Sequence, residues 1–262
     1  MEGISTKEQL VIAGRSFQSR LLLGTGKFGS YLQMSQALEA SGCQIVTVSL
    51  RRVEIGENKR KEDILSFIDT EKYLVVVNTS GAMDAEEAVR IAKIAAYGGL
   101  PKWIKLEIHP DPRYLLPDPV ETLKATQLLV KDDFVVLPYI NADPVIAKRL
   151  EEAGAAAVMP LGSPIGSMRG IETKAQIEII IEQANVPVIV DAGIGKPSHA
   201  AMAMEMGADG VLINTAIAIA NDPCKMAKAF KMAIEAGRMA FEFGTDEISR
   251  LAVPTSPIES FL

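Results

Sequence analysis

Short apolar runs and longer amphipathic runs alternate along most of the chain. Eight runs have the length and composition of strands: RLLLGT from residue 20, QIVTVSL from 44, YLVVVNT from 73, WIKLEIH from 103, FVVLPYI from 134, AAVMPL from 156, VPVIVDA from 186 and DGVLINT from 209. Most are apolar on both faces, as strands are when helices cover a parallel sheet. Between them DAEEAVRIAKIAAYGG, DPVETLKATQLLVKDD, DPVIAKRLEEAG, TKAQIEIIIEQA and KPSHAAMAMEMGA read as helices, several opening with Asp-Pro or a comparable start signal. Ahead of the first strand, LVIAG and SFQS predict a short hairpin.

Strand and helix alternating over eight units predict an α/β fold, a single-domain (β/α)8 or TIM barrel over residues 1–244 with the hairpin at its start. The length of 262 residues sits near the ~250 typical of such a barrel. An open, doubly wound sheet is the alternative, but no GxGxxG follows the first strand. GTGKF, residues 24 to 28, lacks the spacing and the Ser or Thr of a P-loop and is not read as one. The segment 245–262, TDEISRLAVPTSPIESFL, has no clear period and is expected to be a loose tail, ordered only against a neighbour or partner.

Two charges interrupt the fourth strand. Side chains alternate along a strand, so Trp103, Lys105 and Glu107 share one face while Ile104, Leu106 and Ile108 share the other. With the apolar face against helices, the charged face must look into the barrel. IVTVSLRR divides in the same way, with Val46, Val48 and Leu50 on one side and Thr47, Ser49 and Arg51 on the other. A lysine in a dry lumen either pairs with a carboxylate or has a depressed pKa. A neutral lysine can attack a carbonyl to form an imine, with a nearby carboxylate moving the protons. The same residues also fit a structural ion pair of Lys105 with Glu107 or Asp191 that fills the lumen.

Three strand ends carry loops compatible with phosphate. Asp191 closes the seventh apolar run, Gly193 and Gly195 follow, and Pro197 takes a first helical position. MPLGSPIGSMRGI interleaves Gly162, Gly166 and Gly170 with Ser163 and Ser167, and the eighth run ends in Asn214 and Thr215. Backbone N–H groups at such loops can hold an anion, and barrels often bind phosphate after strands seven and eight. Each loop alone could be a plain turn; their coincidence is the signal. His109 could carry a proton, but it and the distant second histidine read better as structural or solvent-facing and form no metal site. Cys224, in the first turn of the last helix, reads as an inert thiol, and the methionines of AAMAMEMGA as helix packing.

Bulk properties narrow the function classes. A net charge of −6 argues against a general nucleic-acid or acidic-membrane surface, so an anionic ligand must be held by a local site. Two cysteines without CxxC spacing indicate neither a disulfide framework nor a zinc site. No run approaches the roughly 18 apolar residues of a membrane span. MEGISTKEQL lacks the basic and apolar regions of a secretory signal, so a soluble cytoplasmic protein is expected.

The long runs FQSRLLLGTGKF, VTVSLRRV, NTSGAMDAEEAVRIAKIA, IKLEI, LLPDPVETLKA, FVVLPYINADPVIAKRLEEAGAAAVMPLGSPIGS and VPVIVDAGIGKPSHAAMAMEMGADGVLINTAIA resemble the bacterial thiazole synthases, the ThiG family of thiamine biosynthesis. The resemblance covers nearly the whole chain and implies a (β/α)8 barrel. It implies a lysine, here Lys105, that forms an imine with 1-deoxy-D-xylulose 5-phosphate, with Glu107 and Asp191 as acid–base residues. Sulfur would come from the thiocarboxylate terminus of a small sulfur-carrier protein, and dehydroglycine would complete the thiazole phosphate. Gly166, Ala192, Gly193, Asn214 and Thr215 fall at the family's substrate-binding positions. A homo-oligomer, dimer or tetramer, is implied; a cofactor or metal is not. Sulfur delivered by a carrier removes the need for a reactive cysteine pair in this chain. Two other readings use the same residues: a different imine-forming barrel enzyme such as an aldolase, and a non-catalytic barrel that binds a phosphate ligand or the carrier.

Overall fold

A computed structural model describes residues 9–49 and 63–244; Leu50, Arg51 and the expected tail lie outside them. The opening hairpin is present, with β1 (Leu10–Ile12) antiparallel to β2 (Arg15–Phe17). The eight expected strands follow as β3 (Leu21–Gly24), β4 (Ile45–Ser49), β5 (Leu74–Asn78), β6 (Trp103–Leu106), β7 (Val135–Ile140), β8 (Met159–Pro160), β9 (Ile189–Asp191) and β10 (Gly210–Ile213). All their pairings are parallel, in the order β8-β7-β6-β5-β4-β3-β10-β9. Bridges Val158 to Val188 and Leu161 to Asp191 join β8 to β9 and close the ring. Closure excludes the open doubly wound sheet, and the fold is a TIM barrel.

The helices begin where the side-chain chemistry places their caps. α1 (Tyr31–Ser41) is capped by Ser30, and α2 (Ala85–Tyr97) by Asp84, whose carboxylate accepts from the Glu87 N–H. α3 (Pro119–Lys131) and α4 (Pro144–Glu152) each start with a capping Asp and a proline at the first helical position. α5 (Lys174–Gln183), α6 (Pro197–Glu205) and the short α7 (Thr215–Ala218) lead to α8 (Pro223–Phe243), again capped by an Asp before Pro. Among the described residues, no helix is long and apolar enough to cross a membrane.

Strand alternation divides the interior as expected. Val77, Ile104, Leu106 and Ile108 face outward and pack against Ala85, Ala88, Ala92 and Ala95 of α2. Val46 and Val48 join the corresponding layer under α1. Inside the ring, Leu22, Ile45, Val76, Leu137, Ile189 and Leu212 form an apolar plug, and Leu10, Ile12 and Phe17 of the hairpin belong to the same cluster. The hairpin therefore stops the amino-terminal end of the barrel, and the polar inward residues are left to the carboxyl end.

Phe17 is 1% exposed and meets Trp103, the chain's single tryptophan, edge to face at 6.2 Å. Phe17→Ala is expected to lower stability by about 3–5 kcal/mol. Chemical denaturation measures the loss, and the Trp103 emission should shift to the red as water reaches the barrel floor.

Candidate active site

The central group is Lys105. β6 carries it into the lumen, in register with Asn78 of β5 and Leu137 of β7. Its Nζ donates to Glu107 Oε1 at 2.7 Å and lies 2.6 Å from Asp191 Oδ2. The Glu107 contact is a directed hydrogen bond; the Asp191 contact is an ion pair outside hydrogen-bond geometry. All three residues are at most 5% exposed. The ring of Tyr139 lies 5.4 Å from Nζ, within reach of a cation–π contact.

The trio resolves the two options open to a buried lysine in favour of pairing. Burial disfavours the ammonium, but Asp191 and Glu107 outweigh it and hold the Lys105 pKa above the ordinary lysine value. Glu107 also resists its own desolvation: Lys105 and His109 bring it down to about 2. Asp191 differs, because burial and the neighbouring Glu107 carboxylate raise its pKa despite Lys105. The two carboxylates thus have unequal proton affinities, the pattern expected where one acts as a base and the other stays charged.

His109 contributes to the difference between them. Its Nε2 lies 3.1 Å from Glu107 Oε2, and an ionised carboxylate has only acceptors, so Nε2 carries the hydrogen. His109 is 3% exposed and meets the Tyr139 ring edge to face at 5.7 Å. Its backbone N–H donates to the Ala82 carbonyl, and the Thr79 hydroxyl bonds both the Glu107 N–H and its carbonyl. Each Glu107 oxygen therefore has a donor. His109 is structural rather than solvent-facing, but its structural task is to hold a site carboxylate.

A cavity of about 330 Å³ opens at the carboxyl ends of the strands. Lys105, Glu107, Asp191, Gly166, Ala192, Gly193, Asn214 and Thr215, all singled out from the sequence, line it together. Thr47 and Ser49 also line it, as their alternation predicts. Ala192 (φ 64°) and Gly193 (φ 76°) both adopt left-handed backbone, which turns the chain sharply after Asp191. A Cβ on Gly193 would lie 1.9 Å from Ser163 Oγ, so only glycine fits between these loops. Four of the six described non-glycine residues with positive φ, namely Lys27, Leu115, Met168 and Ala192, line the cavity. Such strain gathers at functional sites because surrounding contacts hold it in place.

Other groups are placed outside this chemistry. His199 accepts the Gly195 N–H on Nδ1 at 3.2 Å and packs against Gly170, tying two loops together. Burial pushes the Cys43 thiol up to about 11, and Cys224 sits in the first turn of α8 without lining the cavity. Among the described residues, no group of His, Cys, Asp and Glu could hold a metal ion. Sequence reasoning weighed His109 only as a proton carrier or a structural residue and passed over Tyr139 and Lys27. The first two are ordinary core residues until the register brings them to Lys105. The third lay in GTGKF, set aside because it is not a P-loop.

His109→Leu removes the only donor to Glu107 Oε2 among the described residues. Glu107 should then titrate at least about one pH unit higher, while His109→Gln, with an amide N–H near the position of Nε2, should keep it low. Carbon-13 NMR of labelled glutamate carboxyls, assigned with Glu107→Gln, reads this directly. An unchanged titration in the leucine variant contradicts the account.

Comparison with known proteins agrees with the geometry. The family model described as thiazole biosynthesis protein ThiG matches residues 11–257. The chain is 65% identical to a thiazole synthase of Syntrophobacter fumaroxidans over 253 residues, covering 97% of this chain and 98% of that protein. It is 56% identical to a thiazole synthase of Vibrio cholerae over 253 residues, with the same coverage. Among solved structures, the Amycolatopsis orientalis BexX/CysO complex contains a chain that superposes with a TM-score of 0.81 at 33% identity, covering 94% of this chain and 99% of that one. By family model, relatives and fold together, this chain belongs to the ThiG family of thiazole biosynthesis proteins.

Proposed function

We propose that the chain is a thiazole synthase that forms the thiazole phosphate of thiamine from 1-deoxy-D-xylulose 5-phosphate, dehydroglycine and a sulfur-carrier thiocarboxylate. The observation that carries the reading is Lys105, a lumen ammonium held between two carboxylates at the wall of a cavity rimmed by glycine loops. Gly166, Ala192, Gly193 and Thr215 would receive the phosphate end of the sugar and Lys105 its ketone. Asn214 Oδ1 is buried without a partner among the described residues, an acceptor that a sugar hydroxyl would satisfy.

Imine formation requires Lys105 to release a proton. Asp191 is the suitable acceptor, because its raised proton affinity favours taking a proton that Glu107 would refuse. The free amine then attacks the ketone carbon, and the carbonyl electron pair passes to oxygen, which takes a proton. The carbinolamine loses that oxygen as water and leaves a positively charged iminium. Glu107 already faces a cation at this nitrogen, so the iminium meets a carboxylate that need not reorganise. Asp191, which alternately holds and releases a proton, serves the tautomerisation that follows.

Sulfur and dehydroglycine then complete the ring, the sulfur arriving on the carrier's thiocarboxylate. A protein partner accords with the BexX/CysO complex, in which the similar chain is found with a second protein. The same reading makes the chain a cytoplasmic homo-oligomer, dimer or tetramer, that works without a resident cofactor. It also treats residues 1–244 as the barrel unit and 245–262 as a tail that orders on a partner.

Intact and peptide mass spectrometry after addition of 1-deoxy-D-xylulose 5-phosphate and borohydride tests the reading. A substrate-sized increment is expected on the peptide containing Lys105 and none in Lys105→Ala. Thiazole phosphate made at the normal rate by the alanine variant would sink the assignment.

A further inference from the structure

The site holds a second lysine that the imine chemistry leaves unused. Lys27 lies in the loop between β3 and α1, and β3 pairs directly with β10 in the ring. That loop lies on Asn214: a Cβ on Gly24 would come 2.8 Å from Asn214 Cβ, and one on Gly26 would come 2.8 Å from its Nδ2. The two glycines thus let the backbone settle against the end of β10. Lys27 itself has φ 66° and sends its ammonium across the cavity mouth, so that a Cβ on Gly166 would lie 3.0 Å from Nζ and 3.9 Å from Thr215 Oγ1. Loops from three strand ends therefore meet around one ammonium.

This ammonium has no salt-bridge partner among the described residues, although it lines the cavity and is held by a strained backbone. Lys27 is exposed and held in left-handed backbone, an arrangement that costs stability. A substrate anion supplies the missing partner. Resting on the thiazole synthase reading, we propose that Lys27 recognises the phosphate charge of the sugar substrate and so selects phosphorylated over unphosphorylated ketoses. Lys105 does not share this task, because its charge is already committed to Glu107 and Asp191.

The test compares two ligands on the full chain. Borohydride trapping at Lys105 is measured with 1-deoxy-D-xylulose 5-phosphate and with unphosphorylated 1-deoxy-D-xylulose, in the wild type, Lys27→Met and Lys27→Arg. Methionine keeps the stem and the backbone demand while deleting the charge. It should raise the half-saturating concentration of the phosphorylated sugar about 10- to 100-fold and leave the maximal trapping rate and the unphosphorylated sugar unchanged. Arginine should restore most of the preference. Equal losses for both sugars, or no loss, would overturn the proposal. Calorimetric titration with inorganic phosphate separates this question from the wider reading, since it needs no imine. If the wild type traps neither sugar, the synthase reading fails, and weaker phosphate binding in Lys27→Met still supports Lys27 as the anion contact. Equal phosphate binding in both proteins, or none in the wild type, counts against it.

Discussion

One ammonium inside a barrel dictates the upper half of this molecule. A lone charge in the lumen would cost several kcal/mol, so Lys105 requires carboxylates within contact distance. They come from distant places: Glu107 from just beyond β6, and Asp191 from β9, three strands away around the ring. Closing the barrel and assembling the trio are consequently one event. The stabilising contributions cover the neutral range. Glu107, lowered to about 2 from an ordinary 4.5, contributes fully above the ordinary value and loses its contribution as pH falls through the lowered one. Lys105, raised above its ordinary 10.5, contributes below that value and loses its contribution as pH rises through its folded pKa. Asp191, raised by burial, works against folding at neutral pH. The instability is thereby concentrated on the carboxylate to which the proposed mechanism assigns the proton transfers.

The two ends of the barrel divide stability from chemistry. At the amino-terminal end, the hairpin adds Leu10, Ile12 and Phe17 to an aliphatic plug with little polar content. At the carboxyl end the backbone takes left-handed turns at Lys27, Met168 and Ala192, and loops approach so closely that Gly193 cannot carry a side chain. Strained loops persist only on a frame that fixes their ends. The parallel ring and its plug provide that frame, which is why the same segments can be both conformationally costly and well positioned.

How much of this was legible depends on the distance over which each signal acts. The eight strands and five named helices are local patterns, and WIKLEI disclosed the lumen lysine because a period of two needs only its neighbours. Asp191 and the glycine loops were readable as strand ends. The resemblance to the ThiG family placed Gly166, Ala192, Gly193, Asn214 and Thr215, and all five line the cavity. His109 was not legible as a site group: its meaning comes from turning back onto Glu107 beside Tyr139, a residue brought in by β7. Lys27 was missed for another reason. GTGKF was tested only as a phosphate loop complete in itself, whereas its glycines serve to seat the loop on Asn214 from the other end of the chain. Arg51, expected beside Thr47 and Ser49, lies outside the described residues.

The charge balance explains why a second cation belongs in the site. Lys105 faces two carboxylates, so the reactive trio offers no surplus positive charge to a ligand. The whole chain carries −6 and does not attract anions through its bulk field. A sugar phosphate and a thiocarboxylate are both anionic, and a group that neutralised them at Lys105 would have to be the nucleophile itself, which cannot attack while protonated. On the proposed reading, recognition of charge and formation of the imine reside on different lysines. The barrel separates them by strand, with Lys105 buried on β6 and Lys27 exposed after β3.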